Sequence, residues 1–421
     1  MLVDKLNLKN FRKYEDFEIE FKDRLTVIIG ANGSGKSTII DATGKLLSVV
    51  FRSLFDFKSE TMRKNDIRLN KGEKCFPVEI SMSGYVSGLE CSYTQTMKYN
   101  GNRNSYAASE VSGIYNDKLA KENDNTVLPV VCAYGAGRLW NNSESISLDN
   151  LTKTSFSRKN GYSSCLDAHL DSKSMNIWFE KMTYLELQSR KSDALLSAVT
   201  EAVEDAFKLL SGFSSVKVQS NLLEHELEVT YKDKKKKEHV LLTSQLSDGY
   251  RSFICLIADI AYRMASVNPG LKKKAIKETD GIILIDEIDL HLHPEWQQRI
   301  LEVLMKVFPK VQFIVTTHAP AVINSAKRES LIILNGDKAE YPSIETYGRD
   351  MNTITNTVMG VSERPEKVKK LFTLFEEQLD SRNFKDARDT VSRLEEILKT
   401  DDADLASCKV RLDFEEELES E

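Results

Sequence analysis

Residues 30–37 read GANGSGKS, and their types and spacing suit phosphate chemistry. They satisfy the G-x-x-x-x-G-K-S pattern in full. Gly30, Gly33 and Gly35 let backbone N–H groups close around a phosphate, with Asn32 and Ser34 in the same loop. The helix start at Ser37 and Thr38 adds partial positive charge. Lys36 is expected to reach the β- and γ-phosphates of ATP, and Ser37 to hold Mg²⁺.

Three further constellations follow. In residues 246–250 (LSDGY), Ser247 and Gly249 precede an apolar-faced helix through Phe253, Leu256, Ile257 and Ile260. A serine hydroxyl, a glycine N–H and a helix N-terminus form an anion site. The chain has its own phosphate loop, so this second site is best used on a nucleotide held by another subunit. Residues 282–287 (IILIDE) form an apolar run that delivers two carboxylates. Asp286 suits a Mg²⁺ contact, and Glu287 suits orienting and deprotonating the water that attacks the γ-phosphate. Residues 311–318 (VQFIVTTH) end in His318, placed to sense that phosphate. Asp289, His291 and His293 lie just past the carboxylates; the histidine spacing does not match a helix-borne zinc pair, so both read as interface or loop contacts. Arg12 and Lys13, on a turn before the loop, are expected to meet the nucleotide, with a solvated turn as the alternative, while Arg138 reads as a surface arginine with phosphate contact as the alternative.

These residues need strands that end at one edge and helices that start there. Residues 25–29 (LTVII) are an apolar, β-branched run, and 37–47 have helical spacing after the loop. Residues 1–8 and 17–21 alternate as strands, as do parts of 76–82 and 89–97. Residues 100–125, rich in Asn, Ser and Gly, read as a loop. Residues 127–134 read as a buried strand, 175–210 as a helical stretch, and 223–229 as a strand with His225 on its apolar face. The run KDKKKK at 232–237 reads as a solvated hairpin tip, with DNA contact as its alternative.

The chain has 421 residues, 41% apolar and 29% charged, ordinary for a globular protein of one to three domains. The net charge is -6, but residues 401–421 alone carry -7, so the remainder sums to +1 and the tail is not a DNA contact. Six scattered cysteines without a CxxC pair suggest neither zinc knuckle nor disulfide framework. With no signal peptide and no 18-residue apolar run, a cytoplasmic protein without a membrane partner is expected.

The four constellations, in this order, resemble the ATP-binding-cassette heads of the SMC and RecF-like class. By that resemblance 30–37 is the phosphate loop, 247–249 the signature, 286–287 the second Walker motif and His318 the switch histidine. The run IILIDEIDLHLHPEWQQRILEVLMKVFPKVQFIVTTHAP, the segment AYGAGR and the region after YGRDMN are similar to the ATPase subunits of Septu-type anti-phage systems, the PtuA group, some of which accompany retrons. The resemblance implies an α/β fold with a mixed, mainly parallel core, an antiparallel β subdomain and an inserted helical lobe at about 95–215 within a head at 1–334. It implies an ATPase that forms a homodimer, or a higher oligomer, through an ATP sandwich. It also implies an HNH nuclease partner (PtuB) and contact with DNA or retron nucleic acid. Asp248 and Tyr250 stand where transporter signatures often carry glycine and glutamine, which argues against a transporter, and no glutamine loop can be assigned. The rival readings are a DNA-clamping repair or chromosome-maintenance ATPase and a nucleotide-sensing regulator.

The region 335–421 predicts a hairpin of two helices, 366–380 and 384–398, with an acidic tail, either packed against the head or serving as a partner dock. Asp401, Asp402 and Asp404 follow no credible strand, so no intrinsic nuclease is expected.

Overall fold

The computed structural model describes residues 1–55, 60–99, 104–108, 126–137, 157–167, 172–399 and 402–420. The chain folds into two compact units, Met1–Ile354 and Thr355–Glu421.

The first unit is built on a six-stranded mixed sheet. Its order is Lys338–Glu340, Leu331–Asn335, Leu25–Ile29, Val311–Thr316, Gly281–Ile285, Val130–Tyr134. All pairings are parallel except that of the Lys338–Glu340 edge. Strands covered on both faces must be apolar throughout, and LTVII, GIILI and VVCAY are buried at every position. The helix Lys36–Phe55 packs Ile39, Leu46 and Leu47 into a core shared with Ile282, Leu284 and Ile314.

An antiparallel five-stranded sheet flanks this core, in the order Tyr14–Glu20, Leu2–Phe11, Val78–Val86, Leu89–Met97, Asn104–Ala108. Buried Gln312 ties the two sheets: its side chain accepts from Val3 N–H (2.9 Å) and donates to Val3 O (2.7 Å). The last strand corrects the loop expected over 100–125, because Tyr93 and Met97 pair with Ala108 and Asn104. The other residues of that loop lie outside the described set.

The stretch expected as one helical run is two helices, Ser172–Ser189 and Ala194–Ser211. The break is local chemistry. Arg190 takes a left-handed φ of 54°, and the Asp193 side chain caps the second helix through Leu195 N and Leu196 N. A three-stranded antiparallel sheet follows, Ser215–Asn221, Glu226–Lys232 and Glu238–Leu242. Its middle strand begins after His225, which corrects the face expected for that residue. His225 sits in the preceding turn at φ 57°, with Nδ1 3.2 Å from Glu180. The lysine run is the next turn, organised by Asp233, whose Oδ1 accepts from Lys235 N and Lys237 N.

The second unit holds three helices, Glu366–Asp380, Phe384–Leu398 and Ala403–Ser420. The expected acidic tail is therefore a helix with a buried face. Leu405, Cys408 and Leu412 join Phe375, Leu379, Val391 and Leu394 in a core of their own. Asp402 heads that helix and is held by a bidentate pair from Arg364 at 2.9 and 3.0 Å, while Arg364 also bonds Asp404. No helix among the described residues is long and apolar enough to cross a membrane.

Candidate active site

Parallel strands bring their carboxyl ends to one edge, where open α/β sheets bind ligands. The register decides what meets there. Thr316 pairs with Ile28, Ile285 with Val315, and Ile285 with Tyr134 on the other side. Gly30, His318, Asp286 with Glu287, and Gly135 therefore leave four neighbouring strands at the same edge.

The loop is compact. Lys36 Nζ donates to Gly30 O (3.0 Å) and Ala31 O (3.2 Å), and its side chain is buried. Burial pushes its pKa down, while Asp286, Glu287 and Asp289 pull the other way. Gly35 must be glycine on two counts: its φ is +100°, and a Cβ there would lie 2.3 Å from the Tyr14 hydroxyl. Asn32, Gly33 and Ser37 are exposed at the loop surface, and Thr38 is buried at the helix start.

Two threonines fix the carboxylates. Thr316 Oγ1 donates to Asp286 Oδ1 and accepts from Glu287 N at 2.8 Å. Thr317 Oγ1 donates to Asp289 Oδ1 and accepts from Ala319 N at 3.0 Å. Glu287 has a φ of 50°, an uncommon conformation for a residue with a Cβ, and its N–H contact with Thr316 helps hold it there. His318 lies in the field of the same groups. Burial lowers its pKa from 6.5, the Lys36 cation lowers it further, and Asp289, Glu287 and Asp286 oppose both.

The structure thus gathers Lys36, Asp286, Glu287, Asp289 and His318. Arg12 goes elsewhere: its guanidinium pairs with Asp41 and Asp66. Its neighbours reach the loop instead, Lys13 Nζ and Tyr14 Oη donating to Ser34 O at 2.8 and 3.1 Å. Ser247 and Gly249 line a separate pocket of about 620 Å³ with Tyr250, Trp296, His291 and His293. A Cβ on Gly249 would lie 2.6 Å from His291 O, so the glycine lets the loop after Asp289 pack on this helix start. Arg138 lies outside the described residues. Sequence reasoning placed Thr316 and Thr317 beside His318 but gave them no task; hydroxyl residues at a strand end next to a carboxylate-tipped strand were the available signal.

Residues 5–247 match the AAA domain family, more than half of the chain. The chain belongs to the AAA domain family. It is an ATPase, related to the Septu and retron ATPases. This AAA domain protein is 25% identical to the retron Ec83 probable ATPase of Escherichia coli, over 98% of this chain and 86% of that one. It is 26% identical to the Septu protein PtuA of Bacillus thuringiensis, over 91% and 90%. Among solved structures, the SMC head domain from Thermotoga maritima aligns over 82% of this chain and 100% of that chain, at 18% identity and a TM-score of 0.44.

AAA domain membership implies ATP and Mg²⁺, and the residues present fit both. Ser34 Oγ, inside the loop, is buried without a hydrogen-bond partner, a donor suited to a phosphate oxygen. Ser37 and Asp286 supply the hard oxygen donors that Mg²⁺ takes.

Proposed function

We propose that this ATPase is the nucleotide-driven subunit of an anti-phage defence system and controls a separate HNH nuclease. The observation that carries this reading is the reach of the similarity. It runs over 98% of the chain against a retron ATPase and 91% against a Septu protein, so it extends well past the matched AAA domain.

In this reading Lys36 faces the β- and γ-phosphates, and the loop from Gly30 to Thr38, with Asn32, Gly33, Ser34 and Gly35, cradles them. Ser37 and Asp286 hold Mg²⁺, which when bound neutralises phosphate charge. Glu287 orients the attacking water and takes its proton; the Thr316 hydroxyl keeps its backbone in place. His318, whose imidazole is kept neutral by burial and Lys36, reads the γ-phosphate as a hydrogen-bonding group. Ser247 and Gly249 serve ATP held by a second copy, giving a homodimer from which a higher oligomer can be built. The three-helix unit Thr355–Glu421 docks the nuclease; the head expected at 1–334 extends further because Lys338–Glu340 is a strand of its central sheet, and the helical lobe expected at about 95–215 is narrower because Val130–Tyr134 is another. DNA or retron nucleic acid is the material acted upon.

Glu287→Gln tests the chemistry. Nucleotide affinity stays, while single-turnover hydrolysis falls roughly 10²-fold or more. Capture of the product of a neighbouring HNH reading frame by the full-length chain, compared with residues 1–354 shown to bind ATP, tests the partnership. Equal capture by both removes the docking role, and no capture by either removes the nuclease.

A further inference from the structure

We infer that Tyr134 is a positioning residue for ATP hydrolysis, joining the strand that ends in Asp286 to the helix headed by Ser247. The inference rests on the reading of Asp286 and Glu287 given above.

Tyr134 is the last residue of the Val130–Tyr134 strand, which pairs with Gly281–Ile285. Its two polar ends point to two parts of the machinery. The carbonyl accepts from the N–H of Asp286 at 2.8 Å, so the backbone of the proposed Mg²⁺ carboxylate hangs on it. The hydroxyl donates to Asp259 Oδ2 at 2.6 Å.

Asp259 lies within the helix Asp248–Val267, whose N-cap is Ser247. One turn on, Arg263 Nε donates to the same Asp259 oxygen at 2.8 Å. Arg263 then donates to Ser163 O at 2.7 Å and Gly161 O at 3.2 Å. The ring closes on the strand it started from, because Ala133 N donates to Cys165 O at 2.7 Å. Tyr134, Asp259 and Arg263 are at most 2% exposed.

A buried ion pair adds little net stability against an apolar replacement. What a closed ring of hydrogen bonds, those of Asp259 and Arg263 charge-assisted, does supply is fixed geometry. Here it fixes the helix that presents Ser247 relative to the strand that presents Asp286. A tilt of that helix pulls on the Tyr134 hydroxyl, and the Tyr134 carbonyl carries the pull to Asp286. Tyr134 touches no reacting atom in this scheme. It sets where the carboxylate stands once the Ser247 helix is engaged.

Tyr134→Phe in the full-length chain is the test. The ring volume stays, Asp259 keeps its Arg263 partner, and only the hydroxyl tie is cut. The expected result is an unchanged affinity for labelled ATP, an unfolding midpoint close to wild type, an unchanged KM and a kcat lower by roughly tenfold. Asp259→Asn provides the second arm: in that background the Phe substitution costs less than it does alone, because the two residues act through one bond. An unchanged kcat in Tyr134→Phe overturns the inference, as does a loss that only follows the unfolded fraction, or losses that multiply independently in the double variant. Glu287→Gln is run beside them. If it too hydrolyses ATP normally, the reading of the carboxylates has failed; if it is inactive and Tyr134→Phe is not, only the positioning role has.

Discussion

Lys36 and His318 sit in one electrostatic field, and the histidine reports on the lysine. The Lys36 cation and burial both disfavour the imidazolium, so His318 titrates below 6.5 in the nucleotide-free protein and is neutral at pH 7. Lys36→Ala removes the cation and opens the site to water, and both changes move the His318 pKa upward. An NMR titration of the His318 ring checks the sign, and the same variant loses most of its affinity for labelled ATP because a fixed cation opposite the phosphates is gone. Where these residues stand was largely legible. Lys36, Asp286, Glu287 and His318 each follow an apolar run, and a strand end has only one edge to reach. Arg12 was not, because a basic residue on a turn has no period to fix its direction. Its buried partner Asp66 lies 54 positions along the chain, beyond any local pattern.

Elements carry the next level of constraint. The turn between Leu2–Phe11 and Tyr14–Glu20 delivers Lys13 and Tyr14 to the phosphate loop, so the antiparallel sheet buttresses a loop that belongs to the parallel one. Gly35→Ala therefore strikes the Tyr14 hydroxyl and forces a left-handed φ on alanine, a strain of about 1–3 kcal/mol concentrated at the loop. Circular dichroism stays close to wild type and ATP binding is lost; retained binding would show that Tyr14 can yield. The central strands were readable because strands buried on both faces must be continuous apolar runs. The division of the 175–210 stretch was less readable, since both helices keep the three-and-four spacing. The sign lay in RKSD, where Asp193 offers a cap. The third helix of the smaller unit was hidden by charge: nine carboxylates in 401–421 obscure Leu405, Cys408 and Leu412 at helical spacing.

At the scale of the whole molecule, Ser247 and Gly249 line their own pocket, apart from the hydrogen bonds that organise the phosphate loop. If they serve a second copy, two broken subunits can repair each other. Lys36→Ala and Ser247→Arg chains, each inactive alone, form one intact composite site per mixed dimer, and part of the ATPase activity returns. Mixed dimers with no activity would remove the trans role. That the three-helix unit has a hydrophobic core of its own has a thermal consequence. Each compact unit is expected to melt as its own cooperative block, so heating the full chain in a calorimeter yields two endotherms rather than one. Ligand linkage reaches only the block that binds the ligand. With the Glu287→Gln chain and ATP at a hundred times its Kd, the larger block gains about 2.7 kcal/mol. Its endotherm moves to higher temperature while the three-helix block melts where it did before. A single peak that moves as a whole would mean that the two cores share one unfolding transition.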